Sequence, residues 1–237
     1  MDIYKNIKGI NSLKIAFLSD LHLGLTVSKS HLEKIVEEIN THDPDLVLIA
    51  GDLIDEDIFY IDDNILKPIT NLKPKYGIYT CPGNHEYYAG FKRSMDFIKN
   101  NNINVLTDDV QLIDNKFYIV GRHDRASTQM GISRKPLSEI VKYIDNHKPI
   151  ILLDHTPTGL DEASSLNIDL QLSGHTHHGQ IFPFNFITSL VYKKSWGYLK
   201  KGNTHFYISS GTGVWGPHIR TGSNSEIIII NINFKAK

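Results

Sequence analysis

Residues 45–55 read DLVLIAGDLID, an apolar run that breaks at Gly51-Asp52. A continuous apolar run of that length, closed by a turn signal, reads as a strand buried on both faces. The same design recurs on either side. Residues 14–19 (KIAFLS) run apolar into Asp20, and residues 77–80 (GIYT) run into Pro82-Gly83-Asn84-His85. Between these strands the spacing turns helical. Leu32, Ile35, Val36 and Ile39 predict a helix over 28–40 with Ser28 or Ser30 as N-cap, and a second helix is predicted over 91–100. A weaker helical stretch covers 58–72 and breaks near Pro68. Alternating strands and helices predict βαβ units and a largely parallel sheet. Ligand sites in such sheets lie beyond the carboxyl ends of the strands, where these three runs end in polar residues.

The second half is richer in strands. Residues 117–121, 150–153 and 168–172 are apolar runs, 204–209 and 226–233 read as sheet, and a helix fits between Pro136 and His147. No repeat, low-complexity tract or linker divides the chain, so one domain over 1–237 is expected: an α/β fold of two packed sheets with helices outside. The 237 residues carry 25 Lys and Arg against 26 Asp and Glu, a net charge of −1 that gives no bulk attraction for long nucleic acid. At 41% hydrophobic and 22% charged, the composition excludes a disordered or fibrous chain. A lone cysteine, Cys81, excludes an intramolecular disulfide and a cysteine-cluster zinc site. Residues 1–20 lack an apolar signal core, and runs such as 227–230 are too short to cross a bilayer, so a cytoplasmic protein is expected. Peripheral membrane contact through a local apolar patch stays open.

Histidine is the compositional outlier, with twelve in all, of which His155, His175, His177 and His178 fall within 24 residues. Five segments carry the chemistry: Asp20-Leu21-His22, Gly51-Asp52-Leu53-Ile54-Asp55, Gly83-Asn84-His85-Glu86, Asp154-His155 and Gly174-His175-Thr176-His177. In Asp-x-His the two side chains leave one face of an extended backbone and can share a divalent ion. Each segment alone also has a plain reading, as a strand end meeting a turn or an N-capping Asp. Gly-Asn-His is more telling, because Pro82-Gly83 forces a turn that exposes two adjacent polar side chains. Together, each ends a strand and offers oxygen or imidazole nitrogen without competing sulfur. Such donors suit Mn, Fe, Zn, Co or Ni. Seven are too many for one catalytic ion and suit a pair, which at roughly 3.5–4 Å apart clamps the oxygens of a phosphoryl centre.

In this order, D-x-H, G-D-x-x-D, G-N-H-E, a lone His and G-H-T-H resemble the calcineurin-like metallophosphoesterase family over about residues 14–180. Residues 211–220 (GTGVWGPHIR), with His178-Gly179-Gln180, are similar to its bacterial branch of stand-alone phosphodiesterases. The resemblance implies an αββα sandwich of two mixed sheets flanked by helices. It also implies two divalent ions, manganese favoured, one bound by Asp20, His22, Asp52 and His177 and the other by Asp52, Asn84, His155 and His175. A hydroxide between the ions would attack phosphorus in line. His85 matches the histidine that contacts the phosphate and protonates the leaving oxygen, and Asp55 the carboxylate that orients it. Two departures are noted: His178 stands where a small residue commonly follows, and Asp154 precedes His155.

Other residues have weaker readings. Arg122, His123, Asp124 and Arg125 fit a substrate contact or a solvated turn, and Arg220 a phosphate contact or a surface arginine. Trp215 fits a cleft wall or a core filler, and Cys81 a small apolar residue behind the Asn84 turn. The function expected is a phosphodiesterase acting on a small-molecule or lipid-headgroup phosphate. The alternatives are a phosphomonoesterase or pyrophosphohydrolase on a nucleotide or lipid headgroup, a non-catalytic metal-binding scaffold, and a metal store. P-loop and dinucleotide fingerprints are absent.

Overall fold

The computed structural model describes residues 1–24, 27–55 and 57–236. Among the described residues, twelve strands occur in the order β1 (Asp2–Ile3), β2 (Ser12–Leu18), β3 (Leu46–Ala50), β4 (Ile78–Cys81), β5 (Asn104–Val105), β6 (Asp109–Ile113), β7 (Phe117–Gly121), β8 (Ile150–Leu153), β9 (Leu170–Ser173), β10 (Gly197–Lys201), β11 (Thr204–Ile208) and β12 (Ile228–Phe234). They form two six-stranded sheets, ordered β1-β12-β2-β3-β4-β5 and β10-β11-β9-β8-β7-β6. Both are mixed. β12 runs antiparallel to β2, while β2, β3, β4 and β5 are parallel. In the second sheet β11, β9, β8 and β7 are parallel, with β10 and β6 antiparallel at the edges.

Period-two alternation explains the sandwich. Leu13, Ile15, Phe17, Leu46 and Leu48 of the first sheet meet Phe117, Ile119, Ile151, Leu153, Leu170 and Leu172 of the second in one buried cluster. The alternate residues Ala16, Leu18, Val47 and Ile49 face outward beneath Leu32, Ile35, Val36 and Ile39 of helix Lys29–Thr41. On the other side Val120, Ile150, Leu152 and Phe206 lie beneath Leu137, Leu160 and Ala163. Each central strand is covered on both faces, which is why it reads as unbroken apolar sequence. Full burial of one Leu, Ile or Phe contributes about 1.5–3 kcal/mol, so these layers supply the rigidity that the strand-end loops rely on.

The register sets where those loops emerge. Ala16 pairs with Val47 and Leu18 with Ile49, while Ala50 pairs with Cys81, so β2, β3 and β4 end nearly level. Leu153 pairs with Leu172, so β8 and β9 end level as well.

Two local expectations fail. Over 58–72 there is no α-helix, only the 3₁₀ turns Ile58–Tyr60 and Lys67–Asn71, the second with Pro68 in its first turn, where its missing N–H is tolerated. The helix expected between Pro136 and His147 is reduced to Leu137–Ile140. Ser28 does sit at the N-cap of helix Lys29–Thr41, but its hydroxyl bonds the Ser30 hydroxyl instead of capping an N–H.

Candidate metal centre

Beyond the sheet, the chain after β2 stays paired with the chain after β3. Asp20 N–H donates to Gly51 O, His22 N–H to Asp52 O, and Leu23 N–H to Leu53 O, each at 3.0 Å. The backbone is no longer a regular strand there. Asp20 (φ 53°), His22 (φ 47°), Asp52 (φ 49°), His175 (φ 70°) and His177 (φ 47°) all occupy the left-handed region. That conformation costs a non-glycine residue about 1–2 kcal/mol. Five such residues in one place mark a site where strain is held by the surrounding fold in exchange for side-chain direction.

Glycine is required where the loops cross. A Cβ on Gly51 would lie 2.6 Å from Gly83 N and 2.8 Å from His155 Nδ1, and one on Gly83 would strike the Asp52 carboxylate. Glu86 then fixes the crossing. Its buried carboxylate accepts from the backbone N–H of Leu53 (2.7 Å), Ile54 (3.1 Å), Asp52 (3.1 Å) and Gly83 (2.7 Å). No local sequence signal marks Glu86 for this role, because three of its four partners are main-chain groups 32–34 positions away.

All seven donors expected from sequence converge. His155 Nε2 lies 3.1 Å from both Asn84 Oδ1 and Asp52 Oδ2, and His175 Nδ1 lies 2.8 Å from Asn84 Oδ1. His22 Nε2 lies 3.0 Å from His177 Nε2 and 3.9 Å from Asp52 Oδ2, and His177 Nε2 lies 3.5 Å from Asp20 Oδ1. Ligand atoms of Asp20, His22 and His177 form one group, and those of Asp52, His155 and His175 another, each lying within 4.8 Å of one another. A third group joins His22, Asp52 and His85.

The hydrogen bonds behind the imidazoles show what these donors are made for. His155 Nδ1 donates to Ala50 O at 2.7 Å, and His22 Nδ1 to Asp55 Oδ1 at 2.7 Å. With Nδ1 holding the proton, each Nε2 turns a lone pair inward toward carboxylate, amide and imidazole lone pairs. Acceptors packed against acceptors call for positive charge between them. Without metal a proton supplies it: burial works against a charged His155, but the charge and hydrogen bond of Asp52 outweigh burial and hold its pKa well above the usual histidine range. A divalent cation at each group would supply that charge in the proton's place. Asp55 serves two rings at once, since its Oδ1 also lies 3.0 Å from His85 Nδ1. His85 stands edge-on to His22, ring centroids 4.6 Å apart, and faces the cleft.

Titration follows the same geometry. Burial alone would raise Asp52, but the charge and hydrogen bond of His155, then His22 and His85, hold it well below the usual carboxylate range. Burial likewise works against Asp55, whose bonds to His22 and His85 keep it low. Burial pulls His85 down, yet the Asp55 hydrogen bond and the Asp52 charge outweigh it and lift its pKa to about 9. Burial, with His22 and Arg220 nearby, lowers His177 to about 4 against the pull of Asp20.

The remaining sequence candidates sort by their contacts. Arg122 is neither a substrate contact nor part of a solvated turn. It is buried against Asp154 (3.2 Å) and Glu162 (3.1 Å), and Asp154 also receives Arg134 at 2.7 Å. Asp124 is buried and accepts from Thr156 Oγ1 at 2.6 Å, while Tyr87 and His123 share a 2.5 Å hydrogen bond. Arg220 is no free surface arginine: it donates to Ser210 O (2.8 Å) and Gly213 O (2.6 Å), pinning the loop behind His177. His178 turns away from the centre onto Trp196, centroids 5.2 Å apart. Cys81 is buried at the end of β4, and burial pushes its thiol pKa up. Trp215 takes the cleft-wall role, with Tyr88, Ile181, Phe184 and Pro217, around about 560 Å3 of open space above the donors.

A profile of the calcineurin-like phosphoesterase family matches residues 13–179. An uncharacterized metallophosphoesterase of Helicobacter pylori (strain J99) is 37% identical over 222 residues, covering 93% of this chain and 60% of that protein. One from Aquifex aeolicus is 31% identical over 227 residues, covering 94% of this chain and 86% of that protein. The chain therefore spans about 60% of the length of the Helicobacter relative. Among solved structures, the NAD nucleotidase of Haemophilus influenzae superposes with a TM-score of 0.55 over 84% of this chain and 45% of its own, at 16% identity, a likeness of fold.

Proposed function

The chain belongs to the calcineurin-like phosphoesterase family, and on that premise we propose that it is a phosphodiesterase acting on small-molecule or lipid-headgroup esters. The observation that carries this reading is the convergence of seven inward lone-pair donors from five strand ends, with His85 beside them over an open cleft. Asp20, His22, Asp52 and His177 would hold one divalent cation, and Asp52, Asn84, His155 and His175 a second, manganese being the ion proposed. Such ions supply activated water and charge neutralisation at phosphorus.

The other roles belong to the chain itself. His85 has Nδ1 engaged by Asp55 and a raised pKa, so it enters the reaction protonated and can give a proton to the departing alkoxide. Asp55 keeps that ring in place and keeps its charge. The apolar walls at Tyr88, Ile181, Phe184 and Trp215 receive the organic substituent of an ester, which supports a diester over inorganic pyrophosphate.

Hydrolysis of bis(p-nitrophenyl) phosphate and of p-nitrophenyl phosphate, with manganese and then with the other candidate ions, tests the proposal. The diester is expected to be the better substrate. His85→Ala is expected to lower kcat by about 10²–10⁴-fold while the bound metal is unchanged. Metal binding without turnover on either ester would instead indicate a scaffold.

A further inference from the structure

Helix Phe184–Val191 is built inside out. Its sequence, FNFITSLV, has no buried residue. The residues turned to the protein are polar: Asn185 and Thr188 are the half-covered positions, and the Ser189 hydroxyl lies 3.3 Å from that of Ser195. The apolar residues point outward, with Leu190 87% exposed, Val191 68%, Phe186 60% and Ile187 52%. Phe182, at 61%, and Trp215, at 56%, extend the same exposed apolar surface. An ordinary surface helix places these two faces the other way round.

Charge accompanies the ridge. Residues 170–225 contain no Asp or Glu, and the cations of this segment nearest the helix in sequence are Lys193 and Lys194, in a chain whose net charge is −1. Lys193 and Lys194 follow the helix's C-cap, Tyr192, and Trp196 and Tyr198 beyond them are 45% and 48% exposed. Lys193 and Lys201 share Asp161, which lies outside this segment. Exposed apolar side chains beside lysines and half-exposed aromatics suit a helix that lies in the interface of an anionic bilayer. The ridge is also continuous with the metal cleft, because Ile181, Phe184 and Trp215 line it beside His85.

We propose that Phe182, Phe186, Ile187, Leu190 and Val191 form a docking surface for an anionic lipid bilayer, which seats the mouth of the cleft against lipid phosphates. The narrowing of the substrate to a lipid-borne phosphate rests on the hydrolase reading above; the docking does not. Binding is therefore measured without turnover, by cosedimentation of the purified chain with vesicles of phosphatidylcholine alone and of phosphatidylcholine mixed with phosphatidylglycerol. Binding is expected to the mixed vesicles, weakly or not at all to phosphatidylcholine, and to weaken as salt is raised. Ile187→Glu with Leu190→Glu is expected to weaken it at least about tenfold, and Lys193→Glu with Lys194→Glu to remove the preference for anionic lipid. Hydrolysis of bis(p-nitrophenyl) phosphate by the Ile187/Leu190 variant is expected to match the parent, which shows an intact fold and separates loss of docking from loss of catalysis. The proposal is overturned if neither vesicle binds, if the double variant binds as tightly as the parent, or if light scattering shows a dimer that this variant splits, since a second copy would then cover the ridge.

Discussion

Asp55 is the residue on which the centre is most economically built. One carboxylate oxygen receives both His22 Nδ1 and His85 Nδ1, and so sets the tautomer of a metal-ligand candidate and the charge of a proton-donor candidate. Asp55→Asn would leave an amide that cannot accept both protons as an anion does, freeing His22 to turn its lone pair outward. Metal affinity is expected to fall about 10–100-fold, the usual effect of losing a ligand's supporting hydrogen bond. Manganese titration of the metal-free variant by calorimetry reads this directly, and an unchanged affinity would remove Asp55 from the centre. At this scale the sequence was informative where chemistry is written in local order. The seven donor candidates were legible because they fall in short polar motifs just past apolar runs, where nothing apolar is required of them. Arg122 was not legible, since it looked like a turn residue until Asp154 and Glu162, 32 and 40 positions away, closed around it.

The elements convey these residues to one place through the loops after β3 and β4, and here Glu86 and Gly83 act together. Glu86 takes four backbone N–H groups from two loops, so Glu86→Ala orphans all four in a buried crossing. An unsatisfied buried donor costs about 1–3 kcal/mol, and partial relaxation is expected to leave a net loss of about 3 kcal/mol or more. Chemical denaturation of the parent and variant measures it. A midpoint unmoved by the substitution would mean that the carboxylate holds nothing. Gly83→Ala attacks the same crossing sterically by driving a methyl into Asp52, and is expected to lose diester turnover more than about tenfold as the Asp52 carboxylate is displaced; parent-like kcat/KM would refute this. Strands buried on both faces were readable because two apolar faces leave a continuous run. The edge strands β1 and β5, two residues each, have no pattern to read. Helix Phe184–Val191 escaped notice for the opposite reason: its apolar positions exist, but periodicity cannot say which side faces water.

For the molecule as a whole, the centre lies beyond the carboxyl ends of the central strands of both sheets. Asp20, His22, Asp52 and Asn84 emerge from the first sheet, while His155, His175 and His177 emerge from the second. The Asp20, His22 and His177 group and the Asp52, His155 and His175 group each draw from both, and cations held there would tie the halves of the sandwich together. Without them, five left-handed residues and several facing lone pairs must be held by packing alone. A ligand that binds only the native state adds RT ln(1 + [L]/Kd), about 2.7 kcal/mol at a hundredfold excess over Kd. At roughly 2–4 °C per kcal/mol for a chain of this size, removal of metal by EDTA is expected to lower Tm by about 5–10 °C, and manganese to restore it. Hydrogen exchange should report the loss first at the loops after β2, β3, β8 and β9, and last in the sandwich between Phe17 and Phe117. Scanning calorimetry with and without chelator decides the matter: a Tm indifferent to both EDTA and manganese would mean that the strain at these strand ends is not there to hold metal.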